Sequence, residues 1–481
     1  MVSRRSSWTE ALQLAWPATL SLLLQAGYRV NDQYWIGDLG ADAQAAMGVT
    51  TFLLIFNFAL IVIFQSGTLA RVAFHTGAET LTEREALYRS TLWRGLAWFA
   101  VIAGLGWTWS PLATGMLGAQ GAVAELSVEY LRPLYLGLPL MALKPFTDGV
   151  FLGLGNTLTP MRLALLSVGL NFGLNSVMIY GGYGIPAMGI AGAAWATVAS
   201  RGLAGVLGLI LIARKHGLHP TRASAAAQAL PAAQVRRDFW RVVRIGLPVC
   251  FTNMAYALSF IAVLKTSVEP LGRDVQAGLG VAFNGIEAIS YCALMGPAIA
   301  CSSLVGRRLG ARDGPGAREA VRACLSMSLL ISGAFSLAFW LLPDVLASAY
   351  TDEIGVIREA SLYLWVAAWS QTATAADCVL QQALAGAGRT FGMSLTTIAG
   401  LAIRVPLAFA LAHSLDFGSE GIWWAFNLSN WIKLAAIILV FRRTRFWDLD
   451  PPAPPPTQTK RDASGPSSDR PPSVPARPSR P

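Results

Sequence analysis

Charge is the commodity this sequence has least of. Only 13% of its 481 residues are Asp, Glu, Lys or Arg, while 54% are hydrophobic; a soluble domain carries roughly 25% charged residues. A water-soluble fold is excluded, and a chain that crosses a bilayer many times is implied. Catalytic and metal-binding patterns are also missing. No HExxH or CxxC spacing occurs, and no GxxxxGK[ST] phosphate loop, so a metal centre, a disulfide framework and an ATP-driven pump are all disfavoured. The five cysteines, Cys250, Cys292, Cys301, Cys324 and Cys378, lie in or beside apolar runs and read as small packing residues. His75, His216, His219 and His413 lie in or next to loops. An intramembrane acyl or glycosyl transferase would need a His/Asp or Ser/His constellation, and none is visible. The chain is therefore read as a non-enzyme without a cofactor.

Twelve apolar runs of about 20 residues or more are present. They fall near 12–36, 46–74, 91–114, 127–151, 160–182 and 189–213, then near 242–268, 275–305, 319–346, 356–384, 392–413 and 421–443. The expected fold is an all-α polytopic membrane protein of twelve transmembrane helices in two six-helix lobes. The net charge of +10 would suggest nucleic acid in a soluble protein, but here the basic residues sit in alternate loops: Arg4 and Arg5, Arg71 to Arg94, Arg214 to Arg244, Arg307 to Arg322, and Arg442 to Arg445. The positive-inside rule accounts for them, places both termini in the cytoplasm and leaves no nucleic-acid partner. The N-terminus, MVSRRSSWTEAL, runs into the first helix without an A-x-A cleavage site, so no removable signal peptide is expected.

An internal repeat supplies the domain boundaries. LGADAQAAMGV from Leu39 returns as LGRDVQAGLGV from Leu271, 232 residues later, and Gly153 to Thr157 (GLGNT) returns as Gly386 to Thr390 (GAGRT). Pro17 with Pro248 and Gly189 with Gly421 keep that spacing to within a residue. Residues 1–213 are expected to form the first lobe, 214–241 a cytoplasmic connector and 242–446 the second lobe. Residues 447–481, rich in Pro and Ser, are expected to be a disordered cytoplasmic tail. Repeats of six spans have parallel topology, an arrangement suited to alternating access.

Within the first run stands Asp32, with Arg29 and Asn31 beside it. About five residues below the helix end, it lies roughly 8 Å inside, where an ionised carboxylate costs about 2.5 kcal/mol or more. It calls for a function, or for a salt bridge to Arg29 one turn away.

With VNDQYWIGDLGADAQAAMGV, GIAGAAWATVAS at Gly189, LVGRRLGARD at Leu304 and LAGAGRT at Leu384 in view, the chain resembles the multidrug and toxic compound extrusion (MATE) family of cation-coupled efflux transporters. The likeness covers nearly everything from Trp16 to Phe446. It implies an antiporter in the cell inner (plasma) membrane, taken here as a monomer, that exchanges small organic compounds, often cationic or amphipathic, for H⁺ or Na⁺. It also implies a first-lobe cation site at Asp32, Asn171 and Thr197. Asn175 stands where many relatives carry a second Asp, which favours H⁺ over Na⁺. In the second lobe Asp377 matches a tenth-helix Asp of Na⁺-coupled relatives, but their seventh-helix Glu is replaced, at the position counted from Pro248, by Tyr256. Glu287 is a further buried candidate.

Lys265, Arg201 and Arg404 are basic residues within helices that either counter a carboxylate or repel cationic substrate, structural pairing being the expectation, whereas Lys144, near a helix end, is free to snorkel to the interface and is assigned no role. A flippase for lipid-linked or polysaccharide precursors is the alternative function. It would need a more cationic cavity, built on Arg201, Lys265 and Arg404.

Overall fold

In lipid every backbone N–H and C=O must be satisfied within the chain, so apolar runs of this length form helices. The computed structural model describes residues 7–445 and residue 447, with the side chains of Arg29, Val30 and Phe52 excepted. Twelve rods follow in order. The first six are Ser7–Gly37, Ala41–Gly77, Leu81–Met116, a fourth built of Gly121–Leu136, Leu138–Met141 and Leu143–Gly153, then Leu158–Tyr180 and Gly189–His216. The second six are Ala232–Leu271, Arg273–Gly310, Gly314–Leu341, a tenth built of Ile354–Ala368 and Gln371–Gly386, then Thr390–Ser414 and Gly418–Thr444. Among the described residues nine of these are long and apolar enough to cross a membrane. The other three are the first rod, which carries Asn31 and Asp32, and the fourth and tenth, which are segmented.

The repeat is written into the backbone as well as the sequence. Gly40 and Gly272, 232 residues apart, both take left-handed φ values, 98° and 104°. Gly155 and Gly388 do so at 78° and 70°, and even the non-glycine pair Glu79 and Arg312 share φ values of 56° and 57°. Equivalent turns thus join equivalent helices in the two halves. The lobes differ in winding: π-helical turns occur at Leu264–Val268, Gly280–Glu287 and Ala410–Ser414, all in the second half.

The two halves meet tightly at the arginine-rich end. Glycines let the helices touch there, as small residues do in membrane interfaces. A Cβ on Gly77 would fall 1.8 Å from the Arg307 carbonyl oxygen, and one on Gly246 would fall 1.9 Å from that of Ile63. Glu10 accepts from Arg307 and Arg308, both at 3.0 Å, and Arg71 donates to Asp238 at 3.2 Å. Ser303 donates to the Leu152 carbonyl. Large apolar side chains such as Trp109, Leu330 and Leu439 stay exposed, as expected where lipid is the solvent.

Two boundaries differ from expectation. The connector 214–241 is only partly irregular: the sixth rod runs on to His216, and the seventh begins at Ala232, because Asp238 is buried against Arg71 and Arg241 and holds the helix start to the body of the protein. Trp447 belongs with the folded part. It packs on Phe441, with ring centroids 5.0 Å apart, and beneath the Arg318 guanidinium. The expectation of a disordered tail over the remainder of 448–481 lies outside the described residues.

Candidate functional site

The first rod delivers Asp32 into the first lobe, where the fifth and sixth rods surround it. Asp32 is 7% exposed, and Asn171 and Asn175, one turn apart on the fifth rod, are fully buried. Asn175 donates through Nδ2 to Asp32 Oδ1 at 2.8 Å, and Thr197 Oγ1 donates to Oδ2 at 3.4 Å. Asn31 donates to Asn171 Oδ1 at 2.6 Å and is itself held by Trp35 Nε1 at 3.0 Å. The carboxylate therefore sits among neutral donors. Among the described residues it forms no ion pair; the side chain of Arg29, its expected competitor, lies outside them. Asn175 Oδ1 is buried without a hydrogen-bond partner. An acceptor stranded beside a buried carboxylate is what a site for a proton or small cation needs when it has one more donor or charge to receive.

Arg201 does not take up the expected carboxylate pairing. Its guanidinium lies over the rings of Tyr28 and Phe58, 4.6 and 4.9 Å from their centroids, and Tyr28 is bonded to Ser200. Tyr28 stands one turn before Asp32 on the same helix, so the cation borders the site without capping it.

The second lobe gathers four charges. Glu287, at the end of a π-helical stretch, accepts from Tyr363 and from Gln371 Nε2 at 2.9 Å. Asp377, 5% exposed, accepts from Gln381 at 2.8 Å and faces the Lys433 ammonium at 3.9 Å. Arg404, expected to pair with a carboxylate, is held by neutral groups instead: Ser429 Oγ at 2.8 Å, Asn430 Oδ1 at 2.9 Å and the Phe426 ring. Tyr256 is 44% exposed. The sequence-derived candidates thus divide by lobe: Asp32, Asn171, Asn175 and Thr197 are joined by hydrogen bonds in the first, whereas among the described residues Glu287, Asp377 and Tyr256 share the second without a hydrogen bond or ion pair between them.

Two expectations are corrected. Lys265 is exposed in the π-helical turn at the end of the seventh rod, so it is no buried counter-ion. Lys144 does not snorkel: it is buried and donates to both oxygens of Asp148, one turn on, at 2.6 and 2.7 Å. The sixth rod lies flush against the fourth through Gly202, Gly205 and Gly208, which closes the route to the interface. Lys433 and Asp148 were missed by sequence reasoning. Lys433 was within reach, since it stands 232 residues after Arg201, at the repeat's own offset. A cleft of about 620 Å³ lined by Trp107, Glu129, Arg132 and Trp195 shares no lining residue with either set.

Duplicated six-helix halves, closed together at one end and each enclosing a buried carboxylate, define a polytopic membrane transporter. The MatE family model matches this chain twice, over residues 17–177 and 248–410, once in each half. The chain belongs to that family, the multidrug and toxic compound extrusion (MATE) transporters, and is a multi-pass membrane transporter, not an enzyme. A probable multidrug resistance protein NorM of Thermotoga maritima is 26% identical over 429 residues, covering 86% of this chain and 88% of the relative. A NorM of Pseudomonas putida described in the same words is 28% identical, covering 89% and 92%. Among solved structures, a transporter of the MOP superfamily from Pyrococcus furiosus, described as having a binding pocket of reverse polarity, superposes with a TM-score of 0.81 at 21% identity, covering 92% of this chain and 96% of that one.

Proposed function

We propose that this transporter is a secondary antiporter that expels small organic compounds, often cationic or amphipathic, from the cytoplasm in exchange for H⁺ or Na⁺, with Asp32 as the principal coupling carboxylate. The observation that carries the reading is the Asp32 site itself: a buried carboxylate among Asn171, Asn175 and Thr197 with a spare acceptor at Asn175 Oδ1. Ionised, Asp32 only accepts hydrogen bonds; protonated, it also donates one, and the Asn175 amide can turn to receive it. Neutralisation therefore changes how the first rod is held to the fifth and sixth, and that difference couples cation binding to rearrangement of the lobes. A single carboxylate among amides suits H⁺ better than a tight Na⁺ site, which would take more charged oxygen ligands. Relatives named as multidrug resistance proteins support organic compounds as the cargo.

The flippase alternative requires an excess of positive charge in the cavity. Arg404 and Lys433 are matched in number by Asp377 and Glu287, and Lys265 is outside the cluster, so the charge balance favours small amphipathic substrates. Proteoliposomes carrying wild-type or Asp32→Asn protein, given a pH gradient or a Na⁺ gradient, test the proposal. Wild-type uptake of an organic cation should follow the pH gradient, and Asp32→Asn should insert and fold but lose the gradient-driven component. A folded Asp32→Asn protein that transports at the wild-type rate refutes the coupling role.

A further inference from the structure

Lys433 is the less firmly held of the two cations beside Asp377 and Glu287 in the second lobe. It is 9% exposed, makes no hydrogen bond among the described residues, and meets Asp377 at 3.9 Å, beyond hydrogen-bonding range. Its neighbour Arg404 is held by Ser429, Asn430 and Phe426, so one cation is fixed and the other is held by charge alone. An ammonium in that condition has all three of its donors uncommitted to protein oxygens. Space is provided for its stem: a Cβ on Gly400 would fall 2.2 Å from Lys433 Cγ, so the eleventh rod carries a groove where the lysine chain lies. The repeat adds an independent observation. Arg201, at the equivalent place in the sixth rod, borders Asp32, so the last helix of each half brings one cation to that half's carboxylate. Of the two, only the lysine is in ion-pair contact with its acid.

We propose that Lys433 is a tethered competitor for cationic substrate at Asp377. It neutralises the carboxylate when the second lobe is empty and withdraws along the Gly400 groove when the positive centre of an organic monovalent cation arrives. The site assigned is Asp377 with Gln381, and the ligand class is the quaternary ammonium or phosphonium type, whose charge the carboxylate attracts. The inference rests on the export reading above and deepens it. Lys433 acts here as a specificity-determining residue. It raises the threshold for occupancy so that weakly charged or neutral molecules do not discharge the site, because only a full positive charge replaces what the ammonium supplied.

The test is equilibrium binding of tetraphenylphosphonium to the full-length protein in detergent, with no ion gradient. Lys433→Gln should bind the probe roughly tenfold more tightly than wild type, since a unit charge about 4 Å away has been removed, and Lys433→Gln/Asp377→Asn should lose that gain. Lys433→Arg keeps the charge but grips the carboxylate with a planar fork that withdraws less readily, and should bind several-fold more weakly. A folded Lys433→Gln that binds no tighter, or a gain that survives Asp377→Asn, overturns the proposal. If Lys433→Gln does not fold, Lys433→Arg decides, and binding equal to or tighter than wild type overturns it. Wild-type protein that neither binds nor exports the probe overturns the export reading and this inference together. Normal export by wild type with no tightening in Lys433→Gln overturns this inference alone.

Discussion

Asn175 gives Asp32 a hydrogen bond and keeps its own carbonyl oxygen unmatched, so one side chain serves the ionised acid and stands ready for the neutral one. Asn175→Ala removes both capacities. Gradient-driven efflux is expected to fall about tenfold, equivalent to roughly 1.4 kcal/mol of lost coupling, with the melting temperature in detergent little changed; wild-type efflux from a folded Asn175→Ala protein contradicts the assignment. Lys144 and Asp148 make the opposite case, a buried pair that is structural. Lys144→Met alone strands the Asp148 carboxylate and should cost roughly 3–5 kcal/mol, whereas Lys144→Met/Asp148→Met should be close to neutral. Thermal unfolding of the two variants checks this, and equal losses in both contradict it. Asp32, Asn171, Asn175 and Thr197 were legible in the sequence because a polar residue in an apolar run is conspicuous and the resemblance supplied its partners. The pairing of Lys433 with Asp377 was not, because helical periodicity reports which face of a rod a residue occupies and is silent on the rod across from it.

The elements divide into plain rods and modified ones, and the modified ones carry the chemistry. The tenth rod breaks between Ala368 and Gln371, and from its second piece come Gln371, which holds Glu287, and Asp377. The eighth is π-wound up to Glu287, which widens the turn and aims that carboxylate at Tyr363. All twelve rods were legible from their apolar runs, but the breaks and π turns were not, since they arise from packing between helices and leave no periodic trace. Because Glu287 and Asp377 each accept a hydrogen bond from a neutral donor, their amide variants should fold. Glu287→Gln is expected to keep the wild-type melting temperature and Asp377→Asn to lower it, because Lys433 is left without its counter-charge; both should export an organic cation several-fold more slowly, and normal export by both removes them from the site. The glycine contacts make a separate demand on the rods. Gly246→Val places branched carbon against the Ile63 carbonyl, where even a Cβ lies at 1.9 Å, so the seventh rod cannot close on the second. The variant should insert normally and lose transport.

For the whole molecule, the ends that are joined define its state. Glu10 on the first rod binds Arg307 and Arg308 on the eighth, and Arg308 also binds Asp313 at the following turn, while Arg71 and Asp238 join the second and seventh rods at the same end. On the antiport reading proposed above, these links break each time the protein opens toward the side they close. The Glu10 pairs are partly exposed, so each contributes modestly, and they set the balance between states more than the stability of the fold. Ser303, buried where it bonds the Leu152 carbonyl, lies behind this closure and reports on it. Glu10→Gln leaves Arg307 and Arg308 facing each other with one carboxylate fewer between them, so the closed arrangement should lose about 1 kcal/mol, a factor of roughly five in population. In a Ser303→Cys background, with the four buried cysteines and Cys292 replaced, a charged maleimide applied from the arginine-rich side should label Ser303→Cys several-fold faster once Glu10→Gln is added. Efflux should slow at the same time, because the outward-releasing state is less occupied. Labelling unchanged by Glu10→Gln would mean that the glycine contacts alone hold the two halves together at that end, and that the ion pairs follow the closure without driving it.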